Sequence, residues 1–377
     1  MKLLKTFAIC FIAFIAVAIT GCNNSFCSDV DKANIQEKML ENFENGKFDG
    51  FSLTQESWDK FEEEIKDKTP EEQLQAKKDK VDEIYKKEHP KACLTIGDTK
   101  DPITGAVIEG KTWGFAFSKY GGFIEGLLVY PIASLLILLA GLFKVPGVAQ
   151  VLAIIIGTFV IRLVVVLLTY KQTLASQKMQ MLQPEMNALN AKYAGLNDAN
   201  SKNRKAMEMM ALYKKYDINP LTSMIGPFLT LPIFISMYGA VQASTVLREG
   251  EIFGISLGQT LSSGILTFNW FAIVLFILMI ATQFLAMKIP TWLAKKKQKH
   301  QNPYQTKDAM ASTQNIMLYV MLFMIVFVGW MLPIAMTVYW VSSSIFSILQ
   351  SLLMQNAMSK PTSKNDTKSS PLDQLRG

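Results

Sequence analysis

Residues 148–170 read VAQVLAIIIGTFVIRLVVVLLTY. The stretch is free of charge except at Arg162, and it exceeds the about 20 apolar residues that cross a bilayer as a helix. A cation near mid-membrane costs roughly 2.5–3.5 kcal/mol on insertion scales, so it persists where it faces protein, water or a partner. The plainer reading is an arginine that snorkels to the interface. Arg162 lies eight residues from the C-terminal end of the stretch, about 12 Å at 1.5 Å per residue, which is far for snorkelling. The expectation is an inward-facing, functional arginine, the default for an ionisable group inside a span.

Working outward, four more apolar stretches follow, at 221–243, 268–287, 316–332 and 334–353, the last two divided by Pro333. With half of its 377 residues hydrophobic and several such runs, the chain reads as an all-α polytopic membrane protein. The segments between the runs set orientation. Residues 171–217 carry eight Lys and Arg against four acids, 288–313 contain Lys295-Lys296-Lys297-Gln298-Lys299, and the tail at 357–377 is basic. The excess of positive charge predicts these three on the cytoplasmic side. Alternation then gives five spans, with the N-terminal segment outside and the C-terminus inside. Residues 121–143 are apolar but carry Glu125 and Pro131. Only Pro146-Gly147 separates them from the next span, so they are expected to form an interfacial helix on the outer surface.

The N-terminus agrees. Lys2 and Lys5 precede an apolar run that ends in Ile19-Thr20-Gly21-Cys22, a signal-peptide pattern over 1–21. The tetrapeptide resembles the lipobox of bacterial lipoproteins, which implies cleavage before Cys22 and its acylation, with palmitate among the chains. An uncleaved anchor and ordinary cleavage are the alternatives. Residues 23–118 hold 14 Lys and Arg against 21 Asp and Glu, whereas 119–377 hold 22 against 10. The two parts are expected in different compartments. Apolar residues at helical spacing in 36–48 and 57–89 predict short amphipathic helices, and Thr69-Pro70-Glu71-Glu72 reads as a helix start. The segment looks too polar for a large core, and turn-rich 101–111 reads as a linker. Cys27 and Cys93 either pair outside the cell or remain two free thiols. The chain has two histidines, His89 and His300, and neither has a second metal ligand beside it. No catalytic signature or GxxxxGK[ST] loop occurs, so no enzyme activity, metal or cofactor is expected. Basic loops alone give no nucleic-acid specificity.

Residues 171–217 read as a helical hairpin turning at Gly195-Leu196-Asn197-Asp198. Met179, Met181, Met186, Met207 and Met210 make it methionine-rich. Methionine fills narrow seams, and it also builds adaptable apolar surfaces that accept varied chains. Within the spans, Thr158, Thr169, Ser236, Gln242, Thr282, Gln283, Thr337 and Ser342–Ser344 are candidates to line a wet cavity with Arg162, although small hydroxyls also pack helices together. The spans contain no Asp or Glu, so the carboxylate relay typical of a proton-coupled transporter is missing.

Val160-Ile161-Arg162-Leu163, Lys178–Glu185, Lys192-Tyr193, Leu212–Tyr216, Ile218-Asn219-Pro220, Leu231–Phe234, Leu332-Pro333 and Val338–Ser342 occur in this order. Over 119–356 the set resembles the YidC membrane-protein insertases, relatives of the oxidase-assembly insertases of organelles. The resemblance implies a five-helix core with a hydrated groove that holds Arg162, faced by Gln283 and Trp340. It implies a cytoplasmic hairpin that recruits substrate, and an insertase and chaperone function on nascent membrane proteins, alone or with the Sec translocon, the ribosome and the signal recognition particle pathway. Residues 22–118 match neither the large β-sandwich of Gram-negative members nor the short extension of Gram-positive ones. The lipobox points to a Gram-positive-like or wall-less bacterial cell membrane. The competing reading is a small-anion transporter or channel using Arg162, against which stand the lack of an inverted repeat and of a second intramembrane charge.

Overall fold

The computed structural model describes residues 26–193, 195–196, 198–216, 220–301 and 309–359. Residues 1–21, expected as a signal peptide, Cys22 and the tail beyond 359 lie outside them.

The N-terminal part begins with three helices, α1 (Asp29–Glu44), α2 (Gln55–Ile65) and α3 (Pro70–Glu88). Each starts where a hydroxyl caps it. Ser28 and Asp31 form a reciprocal capping box on α1, Thr54 caps α2, and Thr69 with Glu72 caps α3 behind Pro70, which satisfies amide groups that a helix start leaves open. Residues 101–111, expected as a linker, instead lie within a folded hairpin. Strand β1 (Thr99–Lys100) pairs antiparallel with β2 (Val107–Ile108), and Asp101 closes the turn by accepting from the Thr104 amide at 2.7 Å. The segment also has a core of its own, with Ile35, Met39, Phe43, Trp58, Val81, Ile108 and Cys93 buried together. Cys27 and Cys93 are bonded across 66 residues of sequence.

Chain-entropy reasoning gives a loop of this length about 4 kcal/mol of stabilisation. Cys93→Ser should therefore lower the denaturant midpoint of the N-terminal domain, read as protease resistance of residues 29–90. An unchanged midpoint would show that the bridge is incidental.

Two buried polar pairs tie the hairpin to the helices. Lys111 Nζ lies 2.6 Å from Asp31 Oδ2, and His89 Nε2 lies 3.2 Å from Asp101 Oδ1. Burial works to raise both carboxyls. The bonds from Lys111 and Ser28 to Asp31, and from His89 and Thr104 to Asp101, outweigh it and hold both below the usual carboxylate range. A depressed folded-state pKa gives stability that is complete above the unfolded value of about 3.9 and is lost as pH falls through the folded value. Protection of the α1 amides, as the ratio of intrinsic to observed hydrogen exchange at each pH, should thus stay constant near neutrality and fall below about pH 4. Asp31→Asn should flatten that acid limb.

Two short elements, α4 (Trp113–Ala116) and a π-helical turn (Glu125–Val129), lead into α5 (Tyr130–Gly141). Then come α6 (Val148–Leu168), the hairpin of α7 (Tyr170–Lys192) and α8 (Ala199–Lys215), and α9 (Pro220–Ala243). The loop after α9 carries α10 (Thr245–Arg248), the two-residue strands β3 (Glu251–Ile252) and β4 (Ile255–Ser256), and α11 (Leu261–Leu266). The chain closes with α12 (Trp270–Gln301), α13 (Ala309–Met331) and α14 (Ile334–Ser359). Among the described residues, Val148–Leu168, Trp270–Pro290 and Ile334–Met354 are long and apolar enough to cross a membrane. Leu163, Leu167, Ile277, Phe323 and Phe327 are exposed on these and the neighbouring helices, an apolar surface suited to lipid rather than water.

Contacts place one set of helix ends together. Leu261 N–H donates to Leu332 C=O at 2.9 Å and Ile334 N–H to Gln259 C=O at 2.9 Å, so the 244–267 loop is tied to the α13–α14 turn. Gly147, at φ +76°, lies so close to this loop that a Cβ there would meet the Glu251 carbonyl oxygen at 1.7 Å. The Pro146-Gly147 break is therefore a glycine-only close approach. α5 folds back along α6, with Leu136 seated over Gly157.

Candidate functional site

Helix α14 sits between α6 and α12, and consecutive serines reach to either side of it. The Arg162 guanidinium on α6 donates through Nη2 to Ser343 Oγ. Ser344 Oγ donates to Gln283 Oε1 on α12 at 2.7 Å. Successive residues of a helix point about 100° apart, which is how one serine pair serves two flanking helices. Arg162 and Gln283 are thereby linked through a single turn of α14. Trp340 lies on the same helix one turn earlier, its ring 5.5 Å from Phe234 on α9. Phe234 also lies 6.2 Å from Tyr339. This aromatic contact cannot be read from local pattern, because its partners are about a hundred residues apart.

Arg162 is half-buried. Its Nε is enclosed and has no hydrogen-bond partner among the described residues, and no carboxylate among them pairs with it. A buried donor left unpaired costs about 1–3 kcal/mol. The site therefore favours an incoming acceptor, a carboxylate or a backbone carbonyl. Among the described residues no group of His, Cys, Asp and Glu is arranged to hold a metal ion.

Most of the other span hydroxyls are directed elsewhere. Thr158 donates to Ile154 C=O, Ser236 to Pro232 C=O, Thr282 to Leu278 C=O and Ser342 to Val338 C=O, each within its own helix. These residues are also buried, so they pack helices rather than line a path. Gln242 accepts from Arg248 in the loop after α9.

The hairpin closes through polar ties. Lys192 Nζ and Tyr193 Oη both donate to Glu208, at 2.8 Å each, and Tyr216 Oη donates to Glu185 at 2.5 Å. Burial, and then that bond to Glu185, push the Tyr216 phenol up to about 12. Asp198 caps α8 at the turn that the sequence marked. Met179 and Met186 on α7 are half-buried, whereas Met207 and Met210 on α8 are 65% and 63% exposed. The Met181 side chain lies outside the described residues. The methionines thus divide between seam and surface, and α8 carries the free ones.

A family model described as "60Kd inner membrane protein" matches residues 142–362. That interval begins just before α6 and ends just beyond α14, so it contains every residue of the Arg162 site and the hairpin. The chain belongs to this family, that of YidC and Oxa1. Similar YidC-family proteins support the placement. The membrane protein insertase YidC of Mycoplasmopsis pulmonis is 33% identical over 258 residues, 67% of this chain and 41% of that protein. That of Mycoplasma pneumoniae is 28% identical over 279 residues, 69% of this chain and 72% of that protein. That of Oceanobacillus iheyensis is 32% identical over 238 residues, 63% of this chain and 85% of that protein. The chain spans less than half the length of the first and more than two thirds of the other two. These YidC relatives and the apolar helices make it a bacterial membrane protein, and the relatives' name is that of an insertase and not of an enzyme.

Proposed function

We propose that the chain inserts and folds nascent membrane proteins, with Arg162 as the docking charge in a hydrated groove formed by α6, α12 and α14. The observation that carries this is an enclosed guanidinium held by Ser343 and set against the buried Tyr339 hydroxyl, with an unpaired Nε and no carboxylate partner among the described residues. A chain entering the membrane with a polar or acidic leading segment meets a costly hydrocarbon slab. A wet groove shortens the slab, and Arg162 attracts the acids. The apolar part of the substrate then leaves sideways into lipid, driven by its own transfer. Gln283 and Trp340 frame the path, and the exposed methionines of α8 receive the substrate on the cytoplasmic side.

In this reading α6, α9, α12, α13 and α14 are five spans, and residues 171–217, 288–313 and 357–377 are cytoplasmic. Residues 22–118 form a lipid-anchored extracytoplasmic domain attached through Cys22. Helix α5 then does not lie flat on the outer surface. Leu136 covers Gly157, nine residues into α6, so α5 dips about 14 Å beside it. Partners are the nascent chains, with the Sec translocon, ribosome and signal recognition particle pathway upstream.

Purified chain in liposomes should insert a short, single-span substrate with an acidic leading segment in the absence of nucleotide. Empty liposomes and liposomes with the protein giving equal protected product would end this proposal. Anion flux without insertion would favour a channel instead.

A further inference from the structure

The two half-cystines of the N-terminal domain sit at the boundary of two cores. Cys93 belongs to the domain's own core. Leu94, its neighbour, is 1% exposed and packs in the core of the membrane body, as does fully buried Phe26, the residue before Cys27. Each cysteine is therefore flanked by a side chain that has left the domain for the helices, and the bridge holds the two as a pair. Backbone contacts complete the joint. Leu94 N–H donates to the carbonyl of Ala243, the last residue of α9, at 2.8 Å, and the Thr245 hydroxyl donates to Ala92 C=O. The chain reaches both plugs through strained backbone. Phe26 and Lys91 have φ of 55° and 54°, a left-handed conformation that residues with a Cβ adopt only when surroundings enforce it. His89 enforces it at Lys91, whose N–H donates to His89 Nδ1 at 3.1 Å, while Nε2 of the same ring meets buried Asp101.

We propose that Phe26 and Leu94, locked together by Cys27–Cys93, form a brace that fixes the outer end of α9 and the 244–258 loop. In doing so they keep the outer side of the groove closed during insertion. The domain is then a working part of the insertase, a role that rests on the function proposed above. The loop it holds is the one tied to the α13–α14 turn through Gln259 and Leu261, so the brace reaches the helix that carries Ser343 and Ser344. A spacer would need no plug residues in the other core and no bond to Ala243.

Leu94→Asp removes one plug and leaves the disulfide and the domain's core in place. Thr245→Val removes only the bond to Ala92, a milder lesion that folds if the first does not. Both are compared with the full-length wild type by hydrogen exchange and by insertion in liposomes. The brace predicts that the amides of Arg248, Glu249, Leu257 and Gly258 exchange at least tenfold faster in Leu94→Asp and severalfold faster in Thr245→Val. Amides of α1 should stay protected, and insertion should fall severalfold in Leu94→Asp. Wild-type exchange in the loop of both variants would overturn the brace. Faster loop exchange with unchanged insertion would overturn its role in the groove. Failure of the wild type itself to insert would count against the insertase reading, and the exchange data would still decide whether the brace exists.

Discussion

Arg162→Ala is expected to reduce the insertion of substrates with acidic translocated segments by about a hundredfold. A unit charge pair about 6 Å apart at an effective dielectric near 20 is worth roughly 3 kcal/mol, and each 1.4 kcal/mol is tenfold. Substrates with neutral leading segments should lose far less, because a hydrated groove still shortens their path. Arg162→Lys should restore part of the loss. An ammonium keeps the charge and gives up the planar fork that lets one guanidinium hold Ser343 and still offer donors. Complementation of cells depleted of their own insertase, scored over several substrates, checks this. Equal rescue of all substrates by Ala would remove Arg162 from the path.

The second large effect concerns α7 and α8. Replacing residues 172–216 with a flexible linker should nearly abolish growth-supporting activity while the protein still reaches the membrane. The helices after the hairpin carry their own apolar signal, so the lesion is one of recruitment. Replacing only Met207 and Met210 with serine should give an intermediate loss, since both are exposed on α8. A linker variant that works as well as wild type would place recruitment elsewhere, with the basic 288–313 segment the next surface to test.

Legibility followed distance along the chain. The long helices were visible because a span is a local property of about 20 residues, and the hairpin turn and the Thr69 start because caps are local as well. Arg162 stood out by its cost alone. Ser343, its partner, lies 181 residues away, and a shortlist of ten span residues was as near as pattern could come. The N-terminal domain was the least legible part. Its charge-dense helices conceal a small core, and its decisive pairs join residues 80 apart, as in Asp31–Lys111, or residues on different cores, as in Leu94–Ala243. The β1–β2 hairpin has two residues per strand, too few for alternation to show, and so it read as a linker. Helix α5 is ambiguous for a similar reason. Its apolar run suits an interface or a packed helix equally, and what the sequence hides is the contact of Leu136 with Gly157.

Site-specific photocrosslinking tests the central claim most directly. A photoreactive residue placed at Trp340, one turn from the Ser343 that holds Arg162 and with the arginine kept, in full-length protein presented with ribosomes stalled during synthesis of a membrane protein, should crosslink to the nascent chain. The adducts should move from the acidic leading segment to the first apolar span as the stall point advances. A probe at Leu167, on the exposed apolar face of α6, should crosslink to lipid and to late, apolar segments only. Nascent-chain adducts at Leu167 and none at Trp340, at every stall length, would contradict the account.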